Sequence, residues 1–94
     1  DGKKAKSFVN NVNVQDVNGH GTHCAGTVGG PAISIGGIRY GVAPEAELLI
    51  GKVFDNASRP QAFDDDIIKA IEWADEMGAR IISMSLGSAR TAGQ

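Results

Sequence analysis

The chain has 94 residues, of which 41% are hydrophobic and 21% charged, and this predicts one small globular unit. Nine basic and eleven acidic residues are spread along the sequence and give a net charge of -2. We therefore expect neither a nucleic-acid partner nor a membrane partner. A single cysteine excludes an intrachain disulfide and a four-cysteine metal site. A unit of this size should have a marginal core unless it packs against another surface.

The first half of the chain predicts one short helix between two less regular stretches. Some apolar alternation over residues 7–14 predicts a short, irregular strand at best. Residues 18–30 begin with the capping residue Asn18 and end in paired glycines, which favours a short helix. Its internal glycines cost about 1 kcal/mol each relative to alanine, so we expect them to serve close backbone approach. Residues 29–44, with five glycines and two prolines, predict a loop with room for a small hairpin.

The second half of the chain predicts a strand, a helix and another strand. Residues 47–54 form a short apolar run, as expected of a strand covered on both faces of a parallel sheet. A helix follows from the acidic residues 64–66, and Gly78 is placed to end it in a left-handed conformation. The apolar residues that we expect on its core-facing side are Ile67, Ala70, Ile71, Trp73, Ala74 and Met77. Residues 79–86 predict a second strand, and this order predicts a right-handed crossover in an α/β fold.

The most informative stretch is residues 16–27, which read Asp-Val-Asn-Gly-His-Gly-Thr-His-Cys-Ala-Gly-Thr. This stretch closely resembles the histidine motif of the subtilisin family of serine peptidases. The resemblance implies that His20 is the triad histidine, the general base that accepts a proton from a serine hydroxyl and returns it to the leaving amine. It also implies that His23 is structural and that Cys24, one turn after His20, is a free, buried thiol beneath the catalytic ring.

Two further segments strengthen the resemblance, so that it covers nearly the whole chain, roughly residues 7–88. One is Gly-Val-Ala-Pro with the apolar run behind it, and the other is Ile-Ser-Met-Ser-Leu-Gly after the long helix. The family resemblance implies part of a parallel-sheet, three-layer α/β fold. It also implies that Ser85, Leu86 and Gly87 border the cleft and bind extended substrate by strand addition.

Three parts of the family's active site have no counterpart in this sequence. The triad aspartate follows an earlier strand in the family, and Asp1 is too close to the Ser-Phe-Val segment to take its role. The serine motif and the oxyanion asparagine lie far downstream of Gly87 in the family, and no residue after Ser88 resembles them. We therefore expect residues 1–94 to be a catalytic-domain fragment that is inactive as an isolated chain.

The family implies a peptide or protein substrate for the complete enzyme, and secretion is the family expectation. We expect no cofactor and no metal site within this chain, although structural calcium is compatible with the complete enzyme. The glycine-rich loop carries Ile-Ser-Ile around Ser34 where an asparagine often helps to bind calcium in the family. The acidic residues 64–66 are interpreted as the start of a helix rather than as a calcium site.

Other interpretations of the reactive residues explain less of the sequence. Asp16, His20, His23 and Cys24 are residue types that bind zinc, but the His-Glu-x-x-His pattern is missing. Ser83 lies, like Ser85, in a predicted strand rather than in the strained turn of a nucleophile.

A different class of function is a non-catalytic fragment. Strands cut from a larger parallel sheet expose unpaired edges, which favour self-association or pairing with a partner. On this hypothesis we expect the isolated chain to be oligomeric.

Overall fold

A computed structural model describes residues 4–33 and 35–88 of the chain. Two strands and two helices alternate along the sequence, which makes the architecture α/β. The elements are β1 (Ala5–Ser7), α1 (His20–Gly29), β2 (Ile50–Lys52) and α2 (Asp64–Glu76). The predicted order of a short helix, a strand and a longer helix is therefore confirmed.

The two strands pair in parallel, and α1 lies in the connection between them. In the register of this pair, Ala5 lies opposite Ile50 and Ser7 lies opposite Lys52. The backbone N–H of Phe8 extends the ladder by one bond, donating to the Lys52 carbonyl at 2.8 Å. Parallel strands need a long crossover connection, and the segment that carries α1 supplies it.

Both strands differ from their predicted extents. The strand predicted over residues 7–14 overlaps β1 only at Ser7, because the chain then turns through Asn11, whose φ is 59°. The strand predicted over residues 47–54 is reduced to the three residues of β2, and Ile50 is 41% exposed. The prediction of a strand covered on both faces is therefore wrong.

The strand predicted over residues 79–86 is absent from the described structure. This segment forms no strand, and its residues from Ile81 to Ser88 are exposed. An apolar segment becomes a strand only where a neighbouring strand completes its backbone hydrogen bonds, and the described sheet consists of β1 and β2 alone. The predicted crossover therefore has its first strand and its helix but not its second strand.

α2 begins and ends where the sequence predicts. Its first turn holds the three predicted aspartates, which face the positive end of the helix dipole. At the other end Gly78 has a φ of 87°, and its N–H donates to the Asp75 carbonyl at 3.0 Å. The N–H of Ala79 donates to the Ala74 carbonyl at 2.9 Å, which completes a Schellman motif.

One face of α2 packs on β2 and on the residue that follows β1. A Cβ atom at Gly51 would lie 3.6 Å from the Ala70 methyl group and 3.8 Å from the Trp73 ring, so the helix and strand approach closely here. The Trp73 and Phe8 rings meet edge to face, with their centroids 5.7 Å apart. Trp73 therefore faces the sheet as predicted. Ile71 is 36% exposed and Met77 is 41% exposed, so their predicted core positions are wrong.

Glycines let the end of α1 contact the loop that follows it. The Val42 N–H donates to the Thr27 carbonyl at 3.0 Å, and the Ala43 N–H donates to the Val28 carbonyl at 2.8 Å. These bonds satisfy carbonyl groups that the last turn of a helix leaves unpaired. A Cβ atom at Gly41 would collide with the backbone of the helix end, so this close approach needs glycine.

Among residues 4–33 and 35–88, no hydrophobic side chain is buried, in agreement with the marginal core expected for a chain of this length. Large apolar side chains instead remain exposed, and Ile81 (87%) and Val42 (77%) are examples. Within the same residues, neither helix is long and apolar enough to cross a membrane. The described fold is therefore a small parallel sheet with one helix packed on it, and a second helix whose C-terminal end is held by backbone hydrogen bonds.

Candidate active site

His20 is the first residue of α1, and its side chain is exposed. The preceding residue, Gly19, has a φ of 97°, a left-handed conformation that a side chain rarely adopts. The Asn18 side-chain oxygen accepts a hydrogen bond from the His20 backbone N–H at 3.1 Å. Asn18 therefore helps to begin the helix, as its sequence position predicts, although Gly19 occupies the formal N-cap position.

Asp16 holds the loop before the helix against the first turn of α1. Its Oδ1 accepts a hydrogen bond from the Gly19 N–H at 2.9 Å. Its Oδ2 accepts from both the N–H (2.8 Å) and the hydroxyl (2.6 Å) of Thr22. The Thr22 hydroxyl bond and the backbone bonds from Gly19 and Thr22 stabilise the carboxylate and lower the pKa of Asp16 to about 2. Asp16 is therefore an anionic cap for the helix that carries His20.

Cys24 lies one turn after His20 on the same side of α1. Its Sγ is 3.6 Å from His20 Nε2, a contact in which the donor depends on the imidazole tautomer. The thiol is free, and its position beside the ring is the one predicted from the spacing of four residues. The side chain is half-buried rather than buried, because α1 packs on no other helix or strand in the described residues.

The second histidine takes a different position from the first. His23 is exposed, and its carbonyl accepts a hydrogen bond from the Thr27 hydroxyl at 3.1 Å. In the described part of the chain, no group of three or more His, Cys, Asp or Glu side chains could hold a metal ion. Both carboxylate oxygens of Asp16 are instead engaged by the backbone and by Thr22.

Lys52 connects the loop before α1 to the sheet, and sequence reasoning gave it no role. Its Nζ donates to the Gln15 carbonyl and to the Asn56 side-chain oxygen, both at 2.5 Å. Lys52 is the last residue of β2, so the bond to Gln15 joins segments 37 residues apart in sequence. A separation of this size leaves no local pattern by which the sequence could have revealed the contact.

The three residues predicted to bind substrate lie far along the chain from α1. Ser85, Leu86 and Gly87 belong to the exposed segment after α2 and are outside the described sheet. The described contacts bring Asp16, Cys24 and His20 together. They do not connect the segment of residues 85–87 to this group. The described structure therefore brings together the residues at the start of α1 but not the residues after α2.

Comparison with protein families gives a match over almost the entire chain. The model of the subtilase family, Peptidase_S8, matches residues 2–94. The match includes the histidine motif, α1 and the residues after α2. The comparison with solved structures gave no match.

Curated relatives are similar over most of this chain. A protein named major intracellular serine protease from Bacillus subtilis (strain 168) is 50% identical over 74 residues, which are 79% of this chain and 22% of the relative. An intracellular serine protease from Paenibacillus polymyxa is 49% identical over 73 residues, which are 78% of this chain and 21% of the relative. Subtilisin BL from Lederbergia lenta is 45% identical over 74 residues, which are 79% of this chain and 26% of the relative. The chain thus spans about a fifth to a quarter of the length of these relatives.

Proposed function

The chain belongs to the subtilase family, and we propose that it is the histidine-bearing part of a serine endopeptidase, with His20 as the general base. The position of His20 at the exposed start of α1, inside the matched motif, is the observation that carries the proposal. The relatives that are named serine proteases support the reaction class.

In the proposed reaction, His20 takes the proton from a serine hydroxyl as the serine oxygen attacks the peptide carbonyl carbon. The O–H bond breaks, an N–H bond forms on the imidazole, and the carbonyl oxygen becomes an oxyanion. His20 then gives this proton to the leaving amine as the C–N bond breaks. The serine hydroxyl must replace the Cys24 thiol at Nε2, which is an easy exchange because a thiol is a weak hydrogen-bonding group.

The remaining catalytic groups of the proposed enzyme lie outside these residues. An aspartate would orient His20, a serine would be the nucleophile, and an asparagine would help to stabilise the oxyanion. Loss of any triad member leaves only the contributions of the oxyanion hole and of substrate binding. Residues 1–94 alone should therefore not hydrolyse peptides.

Substrate binding is proposed for Ser85, Leu86 and Gly87, by pairing of their main chain with an extended peptide. The family match, which includes this segment, supports the proposal. In the complete domain, residues 79–86 would join β1 and β2 in one parallel sheet between two helical layers. The parallel pairing of β1 and β2 and the exposed Ile81 are consistent with that arrangement.

The test is the intact mass of the protein purified from its source, before and after reaction with a fluorophosphonate that labels activated serine. We expect a polypeptide longer than residues 1–94 to gain one adduct, and a His20→Ala variant to lose the labelling. A His23→Ala variant, checked for folding by circular dichroism, is the matched histidine control. Equal labelling of the His20→Ala variant and the unmodified protein would refute the role of His20. A labelled chain of residues 1–94 would refute the expected inactivity.

A second candidate function is association through the exposed surfaces of the fragment. The absence of buried hydrophobic side chains from the described residues favours it, as does the exposure of Ile81 (87%) and Met84 (52%). Exposed apolar segments with unpaired backbone groups tend to pair with a second chain. Sedimentation of the isolated chain should therefore detect an oligomer, and a stable monomer over a wide concentration range would contradict this candidate.

A further inference from the structure

The loop that leads into α1 is fixed at two consecutive residues by side chains from different parts of the fold. Lys52 holds the carbonyl of Gln15, and the Asp16 carboxylate holds the backbone of Gly19 and Thr22. These contacts form a continuous path from the end of β2 to the first turn of α1. His20 lies on that first turn.

We propose that Lys52 and Asp16 are positioning residues that together set the place and direction of the His20 imidazole. The inference rests on the proposed role of His20 as general base. Neither residue contacts the His20 ring in the described structure, so both act through the backbone on either side of it.

The geometry at Asp16 explains how a single carboxylate can set the ring direction. The first N–H groups of a helix have no partner within the helix. Asp16 supplies acceptors to Gly19, immediately before His20, and to Thr22, two residues after it. The histidine backbone is therefore held from both sides. The Thr22 hydroxyl adds a third bond and orients the carboxylate.

The geometry at Lys52 explains how the sheet is connected to the loop that carries Asp16. The Lys52 backbone is paired in β2, where it lies opposite Ser7, so the lysine stem starts from a fixed point. Its ammonium group bonds the Gln15 carbonyl and also Asn56 on the loop after β2. Bonds to a charged donor are stronger than neutral ones. Loss of the ammonium group should therefore release the loop and, with it, Asp16.

A small shift of a general base has a large effect on rate, because misplacement by ~1 Å can lower a rate constant about 10²-fold. Removal of either the Asp16 carboxylate or the Lys52 ammonium group should therefore reduce kcat about 10- to 100-fold. KM should change by less than about twofold, because neither residue is proposed to touch substrate. A purely structural role would instead lower the fraction of folded enzyme and leave the kcat of the folded molecules unchanged.

The variants are Asp16→Asn and Lys52→Met, each of which keeps the approximate size of the side chain. Asp55→Asn is the matched control for the aspartate, because Asp55 also accepts backbone hydrogen bonds, from Ala57 and Gln61, but none from α1. Lys69→Met on the exposed side of α2 is the control for the lysine.

Two variants of Thr22 test the same contact in case the Asp16→Asn variant does not fold. Thr22→Val removes only the hydroxyl donor to Asp16, whereas Thr22→Ser retains it. We expect Thr22→Val to change the His20 ring shifts and to lower kcat, and we expect Thr22→Ser to keep both at the values of the unmodified protein.

Two readouts separate this inference from the proposed function. In the 94-residue chain, NMR of the His20 ring should show changed chemical shifts in Asp16→Asn and Lys52→Met but not in the two controls. In the complete polypeptide, peptide hydrolysis should show the loss of kcat at nearly constant KM. Unchanged ring shifts and an unchanged kcat would overturn the positioning role. Absence of hydrolysis by the unmodified enzyme would count against the proposed function, and the NMR comparison would still decide the positioning role.

Discussion

Substitution of Gly41 by alanine should loosen the contact between α1 and the loop that follows it. Gly41 is the buried glycine at this contact, and a Cβ atom there would overlap the backbone N and O of Gly30. It would also lie 2.9 Å from the Gly29 carbonyl carbon. These neighbours are backbone atoms, so no side chain can rotate to make room. The chain must instead move apart where Val42 and Ala43 donate hydrogen bonds to the end of α1.

The expected cost can be estimated from the two effects of the added methyl group. Inserting a methylene-sized group into a well-packed contact typically costs about 1–3 kcal/mol. Each lost hydrogen bond adds roughly 0.5–1.5 kcal/mol if neither partner finds water. Because the separated carbonyl groups would reach solvent, we expect a total near the overpacking value, about 1–3 kcal/mol.

The assay is amide hydrogen exchange of Val42 and Ala43, which reports the free energy of local opening, combined with urea unfolding of the chain. Gly36→Ala is the matched control in the same loop, because a Cβ atom at Gly36 meets no atom within 4 Å. That substitution should be neutral or should stabilise the chain by up to about 1 kcal/mol through the unfolded state. Equal protection of the two amides in both variants would refute the claimed close approach.

Four further measurements test other parts of the structure. Because the pKa of Asp16 is lowered from an ordinary 3.8 to about 2, its contribution to stability should be complete above about pH 4 and lost as pH falls through about 2. A carboxyl NMR midpoint near 3.8 would contradict this expectation. Replacing Phe8 and Trp73 by leucine in a double-mutant cycle should reveal a coupling energy of about 0.5–1.5 kcal/mol in urea unfolding. Gly78→Ala should cost about 1–2 kcal/mol by the same measurement, because its φ is 87°. Glu47→Gln should alter stability by less than about 1 kcal/mol, because its ion pair with a lysine joins side chains that are 53% and 70% exposed.

The helices were predictable from sequence because their start and stop signals are local. Three aspartates and a glycine mark the two ends of α2, and the structure places both ends there. Asn18 and the paired glycines marked α1 in the same way. The position of Trp73 against the sheet followed from helical spacing, which depends only on neighbouring residues. The same spacing placed Ile71 and Met77 wrongly, because it depends on the helix alone and both side chains are exposed in a fold whose described sheet has only two short strands.

The strands were less predictable because pairing is a long-range property. Residues 79–86 have the apolar composition of a strand, but the described structure gives them no neighbour. Residues 7–14 have alternating apolar residues, yet the pairing with β2 selects Ala5–Ser7, which overlaps that range only at Ser7. Composition favours an extended backbone, whereas the partner strand decides which residues become part of a sheet.

The candidate site also contains contacts that have a local signal in the sequence and contacts that do not. The contact of Cys24 with His20 was predictable from helical spacing. The bond from Lys52 to Gln15 depends on the return of the chain through β2 and has no local signal. Ser85 lies on a segment whose place in a sheet needs a neighbouring strand, so its proposed binding of substrate is the part of the proposal that depends most on the rest of the domain. Assembly of the sheet around that segment is therefore the step by which the proposed cleft would form, whereas the backbone of His20 is already held by Asp16 in these 94 residues.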